Sequence, residues 1–432
     1  MKNLLFIFIA VAFLQNCNSR PVEKVTNLTD DGTWCWFSDP RAVYFEGKFR
    51  RIYSGWMDHD GNLVIGYYDL DSDSVKIRNL HPGLEKDDHC NPSFLVTDEG
   101  KLMVFYSRHA ATSPIYLLVS KNPEDIESWE VRKDLHLNDT TRYQGLFNSY
   151  TYSNIFRLGT ENNRLFLTWR GMDFKPNIST SADGGSTWSP GEIFILPERI
   201  YRNRRPYLKA CSNNIDKIHF AFTDGHPNAE PANSIYYACY QNGELQKANR
   251  EKIKNFNELP LDPAATDMVY DATTTGEKAW VWDIAQDKEE NPVIAYVRFR
   301  GDSNHIYYYA RWDGNSWQNY EMVNSGGWFP QTPPGIKETE PNYSGGLVLD
   351  HEDPSTAYAS VKRNGIFEIE KWVTPDGGKS WDVIPVTRDS DRDNVRPFAI
   401  RNRPGEEFPQ VLWLEVDRYI HYTDYRSSVL MY

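Results

Sequence analysis

One pattern recurs through the chain and limits what it can fold into. A short β-forming apolar run is followed by a tight polar turn and a second such run. The clearest copy lies between His89 and His109: Phe94 to Val96 is one run, Asp98-Glu99-Gly100-Lys101 the turn, and Leu102 to Tyr106 the other. Related units open at Trp34, Ser149, Arg205, Trp280, Tyr343 and Asn394. These openings stand roughly 50 to 75 residues apart, the period of four-stranded blades with their loops. Seven units predict an all-β, seven-bladed β-propeller, in which radial repetition leaves only short sheet edges. The last unit is short, which leaves room for an N-terminal strand to complete its blade. Two segments, Ser181-Ala-Asp-Gly-Gly-Ser-Thr-Trp188 and Thr374-Pro-Asp-Gly-Gly-Lys-Ser-Trp381, read as Asp-box turns that mark such a fold without fixing an activity.

The domain plan is a leader at 1–17, a polar linker at 18–32 and a single propeller at 33–432. Lys2 precedes an apolar run from Leu4 to Leu14, too short to span a membrane and ending at Gln15-Asn16-Cys17. This is an export signal. Its Cys17 suits either a lipoprotein cleavage site or a plain secretory signal cut nearby, so the expected location is the periplasm, the cell surface or the medium. Contact with a membrane is expected only through a lipid anchor, and the chain is expected to be a monomer. Cys35, Cys90, Cys211 and Cys239 lack paired spacing, so no disulfide is expected, and Cys35 and Cys211 read as buried thiols. A net charge of −13 argues against nucleic acid, whose phosphates need a basic footprint. It does not exclude an anionic sugar in a locally basic cleft.

In a propeller, residues that begin the innermost strand and end the second strand of each blade ring one funnel. Those positions are Asp39 and Arg41, His89 with His109, and Tyr152 with Arg170. Next come Arg205 and Tyr207 with His226, then Asp283 and Arg298, then Tyr343. Three consecutive units thus contribute three His, two Tyr and two Arg. No convincing acid pair for glycoside hydrolysis stands among them, and no acidic group orients a Ser–His couple. His, Tyr and Arg suit another reaction. Arg neutralises a uronic-acid carboxylate and so acidifies the neighbouring C–H; His removes that proton, and Tyr protonates the departing glycosidic oxygen. This is β-elimination, and the chain carries no dinucleotide or phosphate-loop fingerprint that would call for an organic cofactor.

The same residues carry a resemblance. Trp36-Phe-Ser-Asp-Pro-Arg-Ala-Val43, His89 with Asn91-Pro92-Ser93, Ser107-Arg-His109, Leu167-Thr-Trp-Arg-Gly171, Arg205-Pro-Tyr207, Thr223-Asp-Gly-His-Pro227, and Ser344-Gly-Gly346 through Leu349-Asp-His-Glu-Asp-Pro354 are similar to BNR-4-type propellers. Most of all they resemble the ulvan lyases of polysaccharide lyase families twenty-four and twenty-five. The resemblance implies a seven-bladed lyase of an acidic rhamnose–uronate polysaccharide. His89 would transfer the proton with Tyr152 as acid/base partner, Tyr150 being the nearby alternative. His109, Arg170 and Tyr207 would hold the carboxylate, with Arg205 also binding substrate. It also implies a structural zinc or calcium, for which His226, Cys239 and His351 are the candidate ligands, unless His226 lines the funnel. A rhamnose–glucuronate hydrolase and a non-catalytic glycan-binding protein are the competing expectations.

Overall fold

The computed structural model describes residues 24–197 and 204–432. The expected leader at 1–17 and its Cys17 lie outside the described residues. No helix among the described residues is long and apolar enough to cross a membrane.

Seven antiparallel sheets form the blades, spanning 42–81, 93–135, 151–193, 208–270, 278–324, 347–385 and 393–431. Blade four carries two additional short strands, and the other six are four-stranded. The seven-bladed expectation holds. The second strand of blade five, Pro292–Phe299, has sheet on both sides and reads Pro-Val-Ile-Ala-Tyr-Val with every one of those residues buried. Its outermost strand, Trp317–Asn324, faces water and mixes polar with apolar residues.

The last blade is closed by the chain's own beginning. Thr26–Thr29 pairs antiparallel with Asp424–Met431, Thr26 opposite Met431. Part of the segment expected as linker is therefore the outer strand of blade seven. Thr-Asn-Leu-Thr carries a single apolar residue, too little to stand out as a strand before its partner is known.

The Asp-box turns share one hydrogen-bond pattern. Asp183 accepts from the Thr187 amide (2.8 Å) and the Ser181 hydroxyl (2.8 Å), and Asp376 accepts from the Ser380 amide (2.8 Å) and the Thr374 hydroxyl (3.0 Å). Each turn's tryptophan packs edge-on against an aromatic ring of the preceding blade, Trp188 on Phe105 and Trp381 on Tyr309. The turns thus fasten blade three to two and blade six to five.

Residues 34–41 do not begin an innermost strand. They cross the middle of the ring and fill it. The Trp34 indole donates to the Arg396 carbonyl of blade seven (3.1 Å) and the Trp36 indole to the Val281 carbonyl of blade five (3.3 Å). The amide of Cys35 donates to Asn91 (3.1 Å), and that of Asp39 to Asn154 of blade three (2.8 Å). Trp36 stacks on Trp282 at 4.3 Å and meets Trp280 edge-on at 5.0 Å, making an aromatic floor. Below the floor, Asp39 pairs with Lys209 and with Arg41 (3.1 Å), and Asp283 pairs with His351 (3.1 Å) and Arg401 (3.4 Å). Asp39, Arg41 and Asp283 therefore neutralise one another's surroundings inside the plug and do not line the funnel as expected. Arg298 is also elsewhere, sandwiched between the Tyr270 and Tyr308 rings at 3.9 and 3.7 Å. A seven-fold ring leaves a central hole, and close packing requires a segment to occupy it.

Candidate active site

Above the aromatic floor opens a cavity of about 820 Å³, lined by His89, His109, Tyr152, Arg170, Tyr207, His226, Glu340, Tyr343 and Tyr422, among others. It sits where the innermost strands begin. A second cavity of about 300 Å³, containing His351, lies where those strands end.

His89 is placed by a single 3₁₀ turn, Asp88–Cys90, capped by Asp87, whose carboxylate accepts from the His89 amide at 2.9 Å. His109 follows Leu102–Tyr106, and the Ser93–Phe105 pairing brings both ends of this hairpin to one edge. The imidazoles stack at 4.1 Å with an 11° interplanar angle. Asp87 joins them: its two oxygens lie 2.6 Å from Nδ1 of His89 and 2.7 Å from Nδ1 of His109. Both Nδ1 atoms are thereby assigned as donors, which turns each Nε2 away from Asp87. Nε2 of His89 meets the Tyr343 hydroxyl at 3.3 Å.

The two rings differ in charge. Burial opposes a proton on His89, but Cys35, Asp87 and Asp88 outweigh it and lift its pKa well above the ordinary imidazole value. His109 is pushed down to about 4, first by burial and then by the neighbouring His89 charge. Burial would raise Asp87, yet the two imidazoles hold it far below the usual carboxylate range. Of the stacked pair, His89 is the ring whose surroundings favour the proton.

Tyr152 owes its direction to a local irregularity. Pairing between the first two strands of blade three slips between Thr151 and Asn154, and Tyr152 has φ of 59°. That kink turns its ring into the cavity, 5.6 Å from the His89 ring, and burial pushes its phenol well above the usual value. Tyr150 goes the other way: its hydroxyl accepts from the Asn138 amide at 2.8 Å and its ring stacks on Trp169. Tyr152, not Tyr150, faces the site.

Arg170 closes the second strand of blade three. Its guanidinium lies over Tyr152 at 4.7 Å and donates to the Tyr207 hydroxyl at 2.9 Å. Its Nε is buried with no hydrogen-bond partner among the described residues, so the group retains a donor for an anion. Arg205 sits at the rim, exposed and stacked on Phe174 at 4.2 Å.

The three expected metal ligands do not come together. His226 lines the funnel, its ring 4.5 Å from Trp280 and 5.5 Å from Tyr207, and burial, then Arg170 and His89, push it down to about 3. Cys239 faces the core four residues beyond Ile235, which pairs with Thr223 at the funnel end, and so lies roughly 13 Å deeper along the strand. His351 belongs to the opposite cavity with Asp283. One propeller strand separates each from the next, so this set does not fit a metal ion. Among the described residues, the ligand-type groups that do converge are Asp87 with His89 and His109, and Cys35 with Asp88 and His89. Hydrogen bonds account for the first set.

Several groups in and behind the site escaped the sequence reading. Asp87 has the signal of an N-cap two residues before a histidine. Asp88 accepts from Arg396 and from the Tyr419 hydroxyl, both at 2.5 Å, and so anchors the histidine turn to blade seven. Glu340 comes from the long segment between Asn324 and Leu347, and Tyr422 from the two-residue hairpin turn between His421 and Asp424; neither carries a periodic signal.

Comparison with known proteins gives a consistent picture. The family model described as BNR repeat-containing family member matches residues 51–325. An ulvan lyase of Nonlabens ulvanivorans is 22% identical over 389 residues, covering 80% of this chain and 74% of that protein. Among solved structures, a PL25 ulvan lyase bound to -[GlcA(1-4)Rha3S]- superposes with a TM-score of 0.69 at 17% identity, covering 94% of each chain. The polysaccharide lyase Uly1 superposes with a TM-score of 0.54 at 11% identity, covering 94% of this chain and 96% of that one. These likenesses establish the shared propeller fold, and the matched model spans more than half of the sequence. The chain is a member of the BNR repeat-containing family.

Proposed function

We propose that this protein is a polysaccharide lyase that cleaves an acidic rhamnose–uronate glycan, of the ulvan type, by β-elimination. The observation that carries the reading is the gathering of the stacked His89–His109 pair, Tyr152 and the Arg170–Tyr207 couple on one cavity. The ulvan lyase relative and the PL25 neighbours support it.

In this mechanism the uronate carboxylate lies against Arg170, Tyr207 and His109. The donors of Arg170 and Tyr207 stabilise the negative charge that builds when the adjacent C5 proton leaves. His89, in its neutral form, takes that proton through Nε2. The C5–H electron pair becomes the C4–C5 double bond, the C4–O bond breaks, and Tyr152 gives its phenolic proton to the leaving oxygen. The Tyr343 hydroxyl holds Nε2 toward the cavity until substrate arrives. Arg205 extends the binding surface along the polymer. Export belongs to the same proposal, because a polysaccharide cannot cross the envelope to reach a cytoplasmic enzyme.

A hydrolase reading draws on one observation: Glu230 and Glu340 both line the cavity with pKa values raised by burial. Glu230, however, is ion-paired to Arg204 at 3.3 Å, which ties up one member of the pair. Incubation with ulvan, rhamnose-capped arabinogalactan and other uronate polymers separates the two. The lyase reading predicts a product carrying the ultraviolet absorbance of an unsaturated uronate. Shortened chains without that absorbance would sink it, and binding without any cleavage would leave a glycan-binding protein.

A further inference from the structure

We propose that Glu340 is a substrate-contacting residue on the wall of the funnel facing Arg170, and that it holds hydroxyl groups of an unsulfated sugar face next to the uronate. The proposal rests on the lyase reading and specifies its substrate.

Three acidic side chains stand on or behind this wall, and two are satisfied. Glu338 accepts from the Glu340 amide at 2.6 Å and from the Thr332 hydroxyl. Glu230 pairs with Arg204. Oε2 of Glu340 is different: it is buried and has no hydrogen-bond partner among the described residues. The nearby basic group is Nε2 of His226 at 3.8 Å, too far for a hydrogen bond, and that ring is held neutral. Oε2 is turned into the wall, but the Glu340 side chain is 20% exposed and lines the cavity, so its carboxyl offers acceptor surface to a donor from outside.

Its placement is defined on both sides. The Glu340 carbonyl accepts from the Tyr343 amide at 3.0 Å, which fixes the carboxyl to the same turn as the phenol at His89. The loop bearing Glu340 also meets the loop after His226, where Asn228 donates to the Thr339 carbonyl at 3.4 Å. Arg170 belongs to blade three and Glu340 precedes blade six, as far apart around seven blades as the ring allows. The funnel is thus cationic on one side and carboxylic on the other. A uronate carboxylate drawn to Arg170 leaves its neighbour facing Glu340. A sulfate ester there would bring only further acceptor oxygens, whereas sugar hydroxyls supply donors to the carboxyl.

The test uses binding, so that turnover is not needed. Rhamnose–glucuronate tetrasaccharides, with and without sulfate esters, are titrated calorimetrically into the His89→Ala protein and into the same protein also carrying Glu340→Ala or Glu340→Gln. Glu340→Ala is expected to weaken binding of the unsulfated oligosaccharide by about 10-fold or more, the range of a hydrogen bond to a charged group. Glu340→Gln, which keeps an acceptor oxygen, is expected to retain most of the affinity, and both are expected to melt no earlier than the parent. Unchanged affinity in Glu340→Ala, with wild-type protein cleaving a uronate polymer, overturns the Glu340 role alone. Failure of every oligosaccharide to bind the parent protein overturns the lyase reading and this role together.

Discussion

His89→Ala is expected to lower kcat on a uronate polymer by roughly 10²- to 10⁴-fold, the range that a positioned general base contributes. Binding should change far less, because the carboxylate contacts of Arg170 and Tyr207 remain. The argument rests on the two nitrogens of one ring. Nδ1 is committed to Asp87 at 2.6 Å, and only Nε2 is left for the cavity.

The charge on His89 adds a pH signature. Its base form is the active one, and its pKa in the folded protein is raised above 6.5. The rate should therefore climb with pH, through a midpoint above 6.5, and Asp87→Asn should move that midpoint down. The sign for stability is the reverse. A raised histidine pKa stabilises the fold fully below pH 6.5 and gives up that contribution as pH rises through the folded-state value. A rate that fell steadily across that interval would remove His89 from the role of base.

Arg170→Ala is expected to cost roughly 10²- to 10³-fold in kcat/KM, about 3–4 kcal/mol of transition-state stabilisation, as for loss of one preorganised donor to a developing anion. Arg170→Lys should recover part of the loss. It keeps the charge but not the planar fork that matches a carboxylate, nor the stacking on Tyr152 at 4.7 Å. Because Arg170 also supports Tyr152 and Tyr207, the melting temperature of each variant separates lost chemistry from lost packing. Near-normal turnover in a folded Arg170→Ala protein would show that the carboxylate is held elsewhere.

What could be read in the chain beforehand follows from how local the signals are. The blades announce themselves because each hairpin is contiguous. For the same reason His89 and His109 could be paired: they are the two ends of one hairpin. The plug could not, since the Trp34 indole bonds to Arg396, 362 residues away. The funnel rule worked in blades two to four and at Tyr343; it failed at Asp39 and Arg41, which belong to the central segment, at Asp283, which lies mid-strand below the floor, and at Arg298, which is held between two tyrosines. Tyr152 and Tyr150 share an alternation and differ only through a kink that the residue types do not encode. His226, Cys239 and His351 look alike as ligand types, but strand length places them at different depths. Tyr343 is legible as the opening of unit six, whereas Glu340 lies in the long irregular segment before it, where no period reveals which side chains turn inward.

The most direct measurement of the central claim is the mass of the products formed in water enriched in heavy oxygen. Elimination breaks the C4–O bond without water, so the new non-reducing end should carry no heavy oxygen and its fragment should be lighter by one water than its hydrolytic counterpart. A new non-reducing end carrying the full elements of water would mean that water attacked, and would contradict the assignment of the His89–Tyr152–Arg170 site to a lyase.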